Sequence, residues 1–256
     1  MRILVCVKRV PAPGARINVA ADRQSIDTAF LGFTTSPHEE CAVEAAVQLV
    51  ETHGGEATVL TMGAQASEEQ LRYAASVGVA HAVLLPTDGT DVDPQRTAAA
   101  ITAAVRELEE RDGAFDVILF GNESADAGGF QVGIRVAMAL GRPIVNGVQG
   151  LSVVDRAVNL ERPTDAGTER YHLPLPAVVG VKEGINLPRY PTLKGRLASK
   201  KIKVEIIEPI GEPGELRMKM LRTPAEQSAP ATLILGEGAA AAPAVVDLLE
   251  ELGVLS

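Results

Sequence analysis

The sequence predicts an α/β protein built on a mostly parallel, doubly wound sheet. Short β-branched runs alternate with longer amphipathic runs through the first two-thirds of the chain, which is typical of βαβ units. The short runs are almost continuously apolar, as expected for parallel strands covered on both faces. They are residues 2–8, 57–62, 82–85, 116–120 and 177–181.

Helix signals lie between these runs. Ser36-Pro37 is a cap followed by a proline in the first helical turn, and Gly54 is a helix stop, so a helix is predicted between them. Ser67 begins a capping-box spacing, and Asp93-Pro94 opens a long helix. The predicted helices cover residues 37–52, 67–77 and 93–110, and another starts near Gly128.

The alternation stops after residue 150. Residues 151–173 alternate around a Pro/Gly-containing turn and predict an antiparallel hairpin. Residues 209–214 and 238–243 are typical of linkers, and residues 244–252 predict a helix too short to be stable alone. We therefore expect a nucleotide-binding domain over residues 1–207 and an extended C-terminal arm over 208–256 that packs on a partner or on its own domain.

Composition excludes several functions. A formal net charge of −9 argues against nucleic-acid binding. No apolar run approaches the ~20 residues of a membrane span. Cys6 and Cys41 lie in apolar runs, which favours buried thiols in a reducing compartment, so a cytoplasmic protein is expected. The four histidines lack metal-ligand spacing, and neither a metal site nor a catalytic residue is predicted.

The strongest local signal is the turn of residues 121–133, which leaves one predicted strand and enters a helix. Open α/β sheets bind ligands outside the carboxyl ends of their strands. The glycines allow close backbone approach, and a helix N-terminus presents free N–H groups to a phosphate. An adenine nucleotide phosphate is the natural occupant, although the same residues could simply form a strand-to-helix turn.

Other strand ends converge on the same edge of the predicted sheet. Cys6 ends the first strand, Met62 ends the second, and Ser36 caps the intervening helix. These residues could line a pocket for adenine and ribose, but plain core packing is the favoured explanation of Cys6 and Met62.

A basic cluster stands out in this acidic chain between residues 194 and 203. It reads most simply as a solvated segment. The functional alternative is docking of an acidic partner or a phosphate.

The chain resembles the beta subunits of electron-transfer flavoproteins. The resemblance rests on Lys8-Arg9-Val10-Pro11, the Gly121-Asn122-Glu123-Ser124 turn, the strand at 175–179 and the run from Asn186 to Gly195, and it holds in order from residue 2 to about 207. It implies the adenine-nucleotide α-hydrolase-like sheet. It also implies an alpha-subunit partner that holds most of an FAD, and one AMP bound in the beta subunit, or a second FAD in its place in bifurcating members.

Residue roles follow from the resemblance. The cofactor-binding candidates are Cys6, Ser36, Pro37, His38, Glu39, Met62, Gly121, Asn122, Glu123, Ser124, Ala125, Asp126, Ala127, Gly128, Gly129, Phe130, Gln131 and Val132. The partner-docking candidates are Arg189, Tyr190, Leu193 and Lys194, in a segment without helical or strand periodicity where Leu193 would be the apolar anchor. The implied partners are acyl-CoA or related dehydrogenases and a membrane quinone reductase.

Two other functions are alternatives to an electron-carrier subunit. A nucleotide hydrolase or adenylate-forming ligase would need a glycine-rich loop after the first strand, where residues 7–11 have none. A stand-alone nucleotide-binding module would have no obligate partner.

Overall fold

The structure is a computed structural model that describes residues 1–89, 92–210, 218–223 and 233–255. The described strands are β1 (Arg2–Cys6), β2 (Val10–Pro11), β3 (Phe33–Thr34), β4 (Glu56–Gly63), β5 (His81–Pro86), β6 (Val117–Gly121), β7 (Ile144–Val148), β8 (Gly150–Val154), β9 (Ala157–Thr164), β10 (Gly167–Pro174), β11 (Ala177–Val181) and β12 (Val204–Ile206). The described α-helices are α1 (Pro37–His53), α2 (Glu68–Ser76), α3 (Pro94–Asp112), α4 (Val132–Leu140), α5 (Leu193–Ser199) and α6 (Ala242–Glu251).

Seven strands form one all-parallel sheet in the order β12-β5-β4-β1-β6-β11-β7. The central strands β1, β6 and β11 are buried almost throughout, because helices cover both faces. The predicted mostly parallel α/β fold is confirmed.

Alternate residues of each strand enter two different cores. Ile3 and Val5 of β1 pack with α1 and α2 on one face. Leu4 and Cys6 pack with α3 and α4 on the other. This period of two, combined with helices on both sides, is what makes the sheet doubly wound.

The predicted hairpin is part of a three-stranded antiparallel sheet in the order β10-β9-β8. The predicted turn joins β9 to β10 at Asp165 and Ala166. A second two-residue turn joins β8 to β9, with Asp155 at φ 46° and Arg156 at φ 62°. These angles match a type I′ hairpin turn. Such a turn is normally predicted from a glycine, so the Asp-Arg pair gives no sequence signal for it.

Four details differ from the sequence-based predictions. Helix α4 begins at Val132 rather than near Gly128. Ser67 makes no side-chain cap, so the predicted capping box is wrong. Residues 193–199 form α5 although no helical period was recognised. Strand β7 was not predicted, because Asn146-Gly147 interrupts its apolar pattern, an interruption that an edge strand tolerates.

The chain divides into two compact units, Met1–Met220 and Leu221–Ser256. The first contains all the strands and α1 to α5, and the second contains α6. The predicted linker at 238–243 is wrong, because a 3₁₀ turn over Gly238–Ala241 leads directly into α6. The linker predicted at 209–214 lies mostly outside the described residues. The partner-binding role of residues 208–256 is not tested by this division and stays a prediction.

Candidate functional site

The order of the sheet creates a crevice between β1 and β6. These strands are neighbours, but the helix after β1 is α1 on one face, and the helix after β6 is α4 on the other. At such a switch point the two following loops separate and leave an opening at the carboxyl ends of the strands. The loops that border it are residues 7–9 and 121–131.

Residues 121–131, here called the switch loop, lead from the end of β6 to the first turn of α4. Gln131 gives α4 no side-chain cap, and the amides of Val132, Gly133 and Ile134 find no acceptor in the parts of the chain that the structure describes. Gly128 adopts φ 55°, in the left-handed region that favours glycine. A Cβ added to Gly129 would meet no atom within 4 Å, so the space beside it is open.

One ion pair ties the switch loop to the end of β1. Lys8 Nζ lies 2.6 Å from Asp126 Oδ2, across 118 residues of sequence. Partial burial opposes ionisation of Asp126, but the hydrogen bond and charge of Lys8, with further hydrogen bonds from Ser124 and Ala127, outweigh it and hold the pKa of this carboxyl below its usual range. Asp126 therefore adds little net negative charge to the opening. Lys8 was not among the site residues predicted from the sequence.

The start of α1 closes the base of the crevice. Ser36 and Glu39 form a capping box, and Glu39 Oε1 also accepts a hydrogen bond from the Lys8 amide at 3.1 Å. Gly121 packs against this turn so tightly that a Cβ there would lie 2.6 Å from Glu39 Cγ. Burial raises the pKa of Glu39 to about 7, against the lowering effect of these amide donors. Glu39 thus supports the site rather than offering a free ligand group.

His38 links two loops at the same edge. Its Nδ1 accepts a hydrogen bond from the Glu183 amide at 2.9 Å, and its Nε2 lies 3.4 Å from Glu123 Oε1. The amide of Asn122 donates to the carbonyl of Val181 at 2.8 Å. The loops after β6 and β11 are therefore held together around the start of α1.

The predicted cofactor residues fall into two groups. The switch loop, Ser36, His38 and Glu39 come together at the crevice, with Ala125 to Gly128 exposed. Pro37, in the first turn of α1, is exposed at the same helix end. Cys6 instead belongs to the buried core, where burial raises the pKa of its thiol, and Met62 packs against that core. For these two residues the structure favours the core-packing alternative.

The geometry offers the kinds of group that bind a phosphate. Uncapped amides at a helix N-terminus and an open glycine are the usual partners of a phosphate. Lys8 neutralises the carboxylate nearest to it, and the carboxylate of Glu39 is enclosed by amides. A concavity of about 270 Å³ is lined by Ile134, in the first turn of α4, and by Tyr171, and another of about 220 Å³ contains Phe30. The candidate site is therefore identified by its hydrogen-bond donors and not by a concavity.

The predicted docking residues differ in whether their side chains are free in solvent or bound within the chain. Tyr190 and Leu193 are 91% and 76% exposed, and Lys194 is also exposed. The guanidinium of Arg189 instead binds two carboxylates of α1. Arg189 is thus engaged within the chain, and only the other three point to solvent.

Among the described residues, no three His, Cys, Asp or Glu side chains cluster as a metal site would require. Within the same ranges, every helix is too short or too polar to span a bilayer.

Comparison with known proteins gives consistent matches. A family model described as the electron transfer flavoprotein domain matches residues 28–210. The chain is 31% identical over 208 residues to the electron transfer flavoprotein subunit beta of Bacillus subtilis, covering 81% of this chain and 79% of the relative. It is 33% identical over 211 residues to the subunit of the same name from Mycobacterium leprae, with 80% and 78% covered. It is 34% identical over 211 residues to Protein FixA of Azorhizobium caulinodans, with 80% and 74% covered. The region matched by the family model includes the switch loop and α5.

Proposed function

Because the chain belongs to the electron transfer flavoprotein family, as a beta subunit, we propose that it binds AMP at the switch-point crevice and helps an alpha subunit to hold FAD. In this role the chain has no turnover of its own. It works in the cytoplasm within an electron carrier that accepts electrons from acyl-CoA or related dehydrogenases and passes them to a membrane quinone reductase.

The observation that carries the AMP proposal is the uncapped N-terminus of α4 beside an open glycine. The amides of Val132, Gly133 and Ile134 lack acceptors among the described residues, as the first amides of an uncapped helix do. A phosphate would satisfy these amides and would also be favoured by the positive end of the helix dipole. Lys8 pairs with Asp126 at the same opening and so offsets a negative charge that would repel a phosphate.

In this proposal the residues of the chain bind the phosphate and hold the surrounding loops in position. The first turn of α4 would hold the phosphate, Lys8 would fix the switch loop through Asp126, and the Ser36–Glu39 capping box would hold the start of α1 against Gly121. The flavin supplies the redox chemistry when it is bound. No side chain of the crevice is required as a general acid or base.

The docking surface in this proposal is an exposed apolar ridge. Its members come from α5 and the segment before it: Leu187, Tyr190, Leu193 and Leu197, which are 89%, 91%, 76% and 56% exposed. Leu193 and Leu197 are one helical turn apart and so lie on the same face of α5. An apolar side chain that fills a partner's pocket carries a large share of a small interface. We assign this ridge, called the docking ridge below, to the partner dehydrogenases.

Substitution of Gly129 tests the nucleotide site. Gly128→Val is a poor choice, because φ 55° strains any β-branched residue whether or not a ligand binds. At Gly129 a larger side chain has room in the chain itself but would occupy the open space in front of α4. Gly129→Val should therefore reduce bound AMP by at least about tenfold, and Gly129→Ala should have a smaller effect.

The measurement is the amount and identity of the nucleotides released from the purified heterodimer. Loss of AMP with retention of FAD supports the proposal. A second FAD in place of AMP would identify the bifurcating alternative. That alternative is considered because Gln131-Val132-Gly133 resembles the turn of bifurcating members. An unchanged AMP content in Gly129→Val contradicts the assignment of α4.

A further inference from the structure

We propose that Arg189 is a positioning residue, which binds Glu44 and Glu51 of α1 and thereby holds the docking ridge in the shape that the partner's pocket accepts. This inference rests on the proposed docking function of the ridge. It differs from the sequence-based expectation, in which Arg189 contacts the partner itself.

The arginine and the two glutamates, together called the Arg189 clamp, form a closed set of hydrogen bonds. Arg189 Nε donates to Glu44 Oε2 at 2.8 Å, and Nη2 donates to Glu44 Oε1 at 2.9 Å. Nη1 and Nη2 donate to the two oxygens of Glu51 at 2.6 and 2.9 Å. Four of the five guanidinium N–H groups are thus used within the chain, and a single N–H of Nη1 is left over.

The inner half of the clamp is buried. The side chain of Glu44 is only 5% exposed, and its Oε2 also accepts the backbone amide of Arg189 at 3.2 Å. A buried carboxylate requires a cation and further donors, and here one residue supplies both. The outer half is accessible, since Glu51 is 56% exposed. The clamp therefore fixes the backbone of the ridge segment as well as its side chain.

Further contacts fasten the same segment on either side of the clamp. Before it, Asn186 Nδ2 donates to the carbonyl of Cys41 at 3.0 Å. After it, α5 lies so close to α2 that a Cβ on Gly195 would be 2.1 Å from the carbonyl oxygen of Ser76. At the end of α5, Arg72 Nη1 donates to the carbonyl of Ser199 at 3.2 Å. Between these points the ridge side chains extend into solvent, together with those of Thr192, Lys194 and Arg196.

This arrangement matters for a transient partner. A flexible loop loses conformational freedom when it binds, and that loss subtracts from affinity. A segment already fixed by its own chain avoids most of the loss. The clamp should accordingly act on the affinity for the dehydrogenase and leave the electron-transfer step itself unchanged.

Two substitutions weaken the clamp without leaving Glu44 uncompensated. Arg189→Lys keeps a positive charge beside Glu44 but cannot bind two carboxylates through a planar fork. Glu51→Gln removes only the exposed half and leaves Arg189 in place. Glu107→Gln is the matched control, because Glu107 is an exposed helical glutamate with no ion pair among the described residues.

The experiment uses the purified heterodimer as electron acceptor for an acyl-CoA dehydrogenase that reduces the wild-type protein. We expect KM for the heterodimer to rise about tenfold in Arg189→Lys and about threefold in Glu51→Gln, with kcat and flavin content unchanged in both variants and Tm unchanged in Glu51→Gln. Hydrogen exchange of the amides in residues 186–200 should become faster in both variants, with the rest of the chain unaffected. Glu107→Gln should match the wild type throughout.

The outcomes separate this inference from the proposed function. If Leu193→Ala leaves KM unchanged, the docking function of the ridge is refuted, and the positioning role of the clamp is refuted with it. If Leu193→Ala raises KM but neither clamp variant does, only the clamp is refuted. If Arg189→Lys raises KM while Glu51→Gln does not, Arg189 contacts the partner directly, and the positioning role is refuted. If Arg189→Lys does not assemble, Glu51→Gln decides the question alone.

Discussion

The carboxylate of Glu39 is subject to two opposing effects. Glu39 is 6% exposed, and its burial penalises the charged form. The amides of Lys8 and Ser36 donate to its oxygens and favour the charged form. Burial is the larger effect, so the pKa rises from 4.5 to about 7. The native subunit therefore holds a proton on Glu39 at a pH where the unfolded chain has released it.

This difference predicts a pH-dependent stability. A carboxyl whose pKa is raised by folding contributes stability that is fully present below about pH 4.5 and is lost as the pH rises through about 7. Glu39→Gln cannot titrate. Relative to this variant, the wild type should lose on the order of 2 to 3 kcal/mol of unfolding free energy between about pH 5 and about pH 8.

Denaturant unfolding of the purified heterodimer at both pH values measures this loss. Glu107→Gln is again the control and should follow the wild type. Parallel pH profiles for the wild type and Glu39→Gln would show that Glu39 stays ionised in the native state.

At the scale of elements, α5 combines the docking ridge with positive charge. Lys194, Arg196 and Lys200 are exposed and form no ion pair in the described part of the chain, in a protein whose formal net charge is −9. Unpaired charges around an apolar anchor steer a partner of opposite charge and raise its association rate. A dehydrogenase pocket that accepts the ridge should therefore have an acidic rim.

Neutralising this charge should weaken docking in a salt-dependent way. The double variant Lys194→Gln, Lys200→Gln is expected to raise KM for the heterodimer several-fold, by about 3- to 10-fold at low ionic strength, with little change at high salt where charges are screened. Steady-state reduction by the dehydrogenase over a range of salt concentrations measures this. Arg156→Gln, which removes a charge from the turn between β8 and β9, is the control. An equal effect at all salt concentrations would contradict electrostatic steering.

The elements that could be predicted are those whose pattern is local. The strands of the sheet core read as apolar runs because both faces are covered, and α1 and α3 were signalled by Ser36-Pro37 and Asp93-Pro94, which cap them as expected. Helix α5 has too few buried positions to show a period, since only Ser199 is buried in it. Its position depends on the contact of Gly195 with α2, which no local pattern reports.

The candidate site shows the same limit. The switch loop could be predicted because its glycines follow an apolar strand, and the family resemblance is confirmed by the comparisons. The pairing of Lys8 with Asp126 and the clamp of Arg189 with Glu44 join residues 118 and 145 positions apart. Such contacts follow from the order of the strands and the packing of α1, which a single sequence does not specify.

In the whole molecule, the residues that stabilise the fold and those expected to bind a partner lie in different units of the chain. The unit Met1–Met220 contains the parallel sheet and both apolar cores, so the burial that stabilises the fold lies within it. The unit Leu221–Ser256 contains α6, in which no residue is buried. Val245, Val246 and Leu252 of that unit are 40%, 45% and 66% exposed. Isolated helices of this length are marginal in water, so α6 needs a surface to pack on.

The alpha subunit is the surface that we expect α6 to use, which leads to a prediction for the truncated chain. A protein ending at Met220 should fold, with a Tm within a few degrees of the full-length subunit, because it keeps both cores. It should fail to co-purify with the alpha subunit and should lose flavin absorbance, because the apolar face of α6 is removed. Asp247→Asn, on the same helix but polar, is the control and should assemble normally. A truncated chain that still forms a yellow heterodimer would place the alpha-subunit interface wholly on Met1–Met220, and one that unfolds would show that the second unit contributes to stability itself.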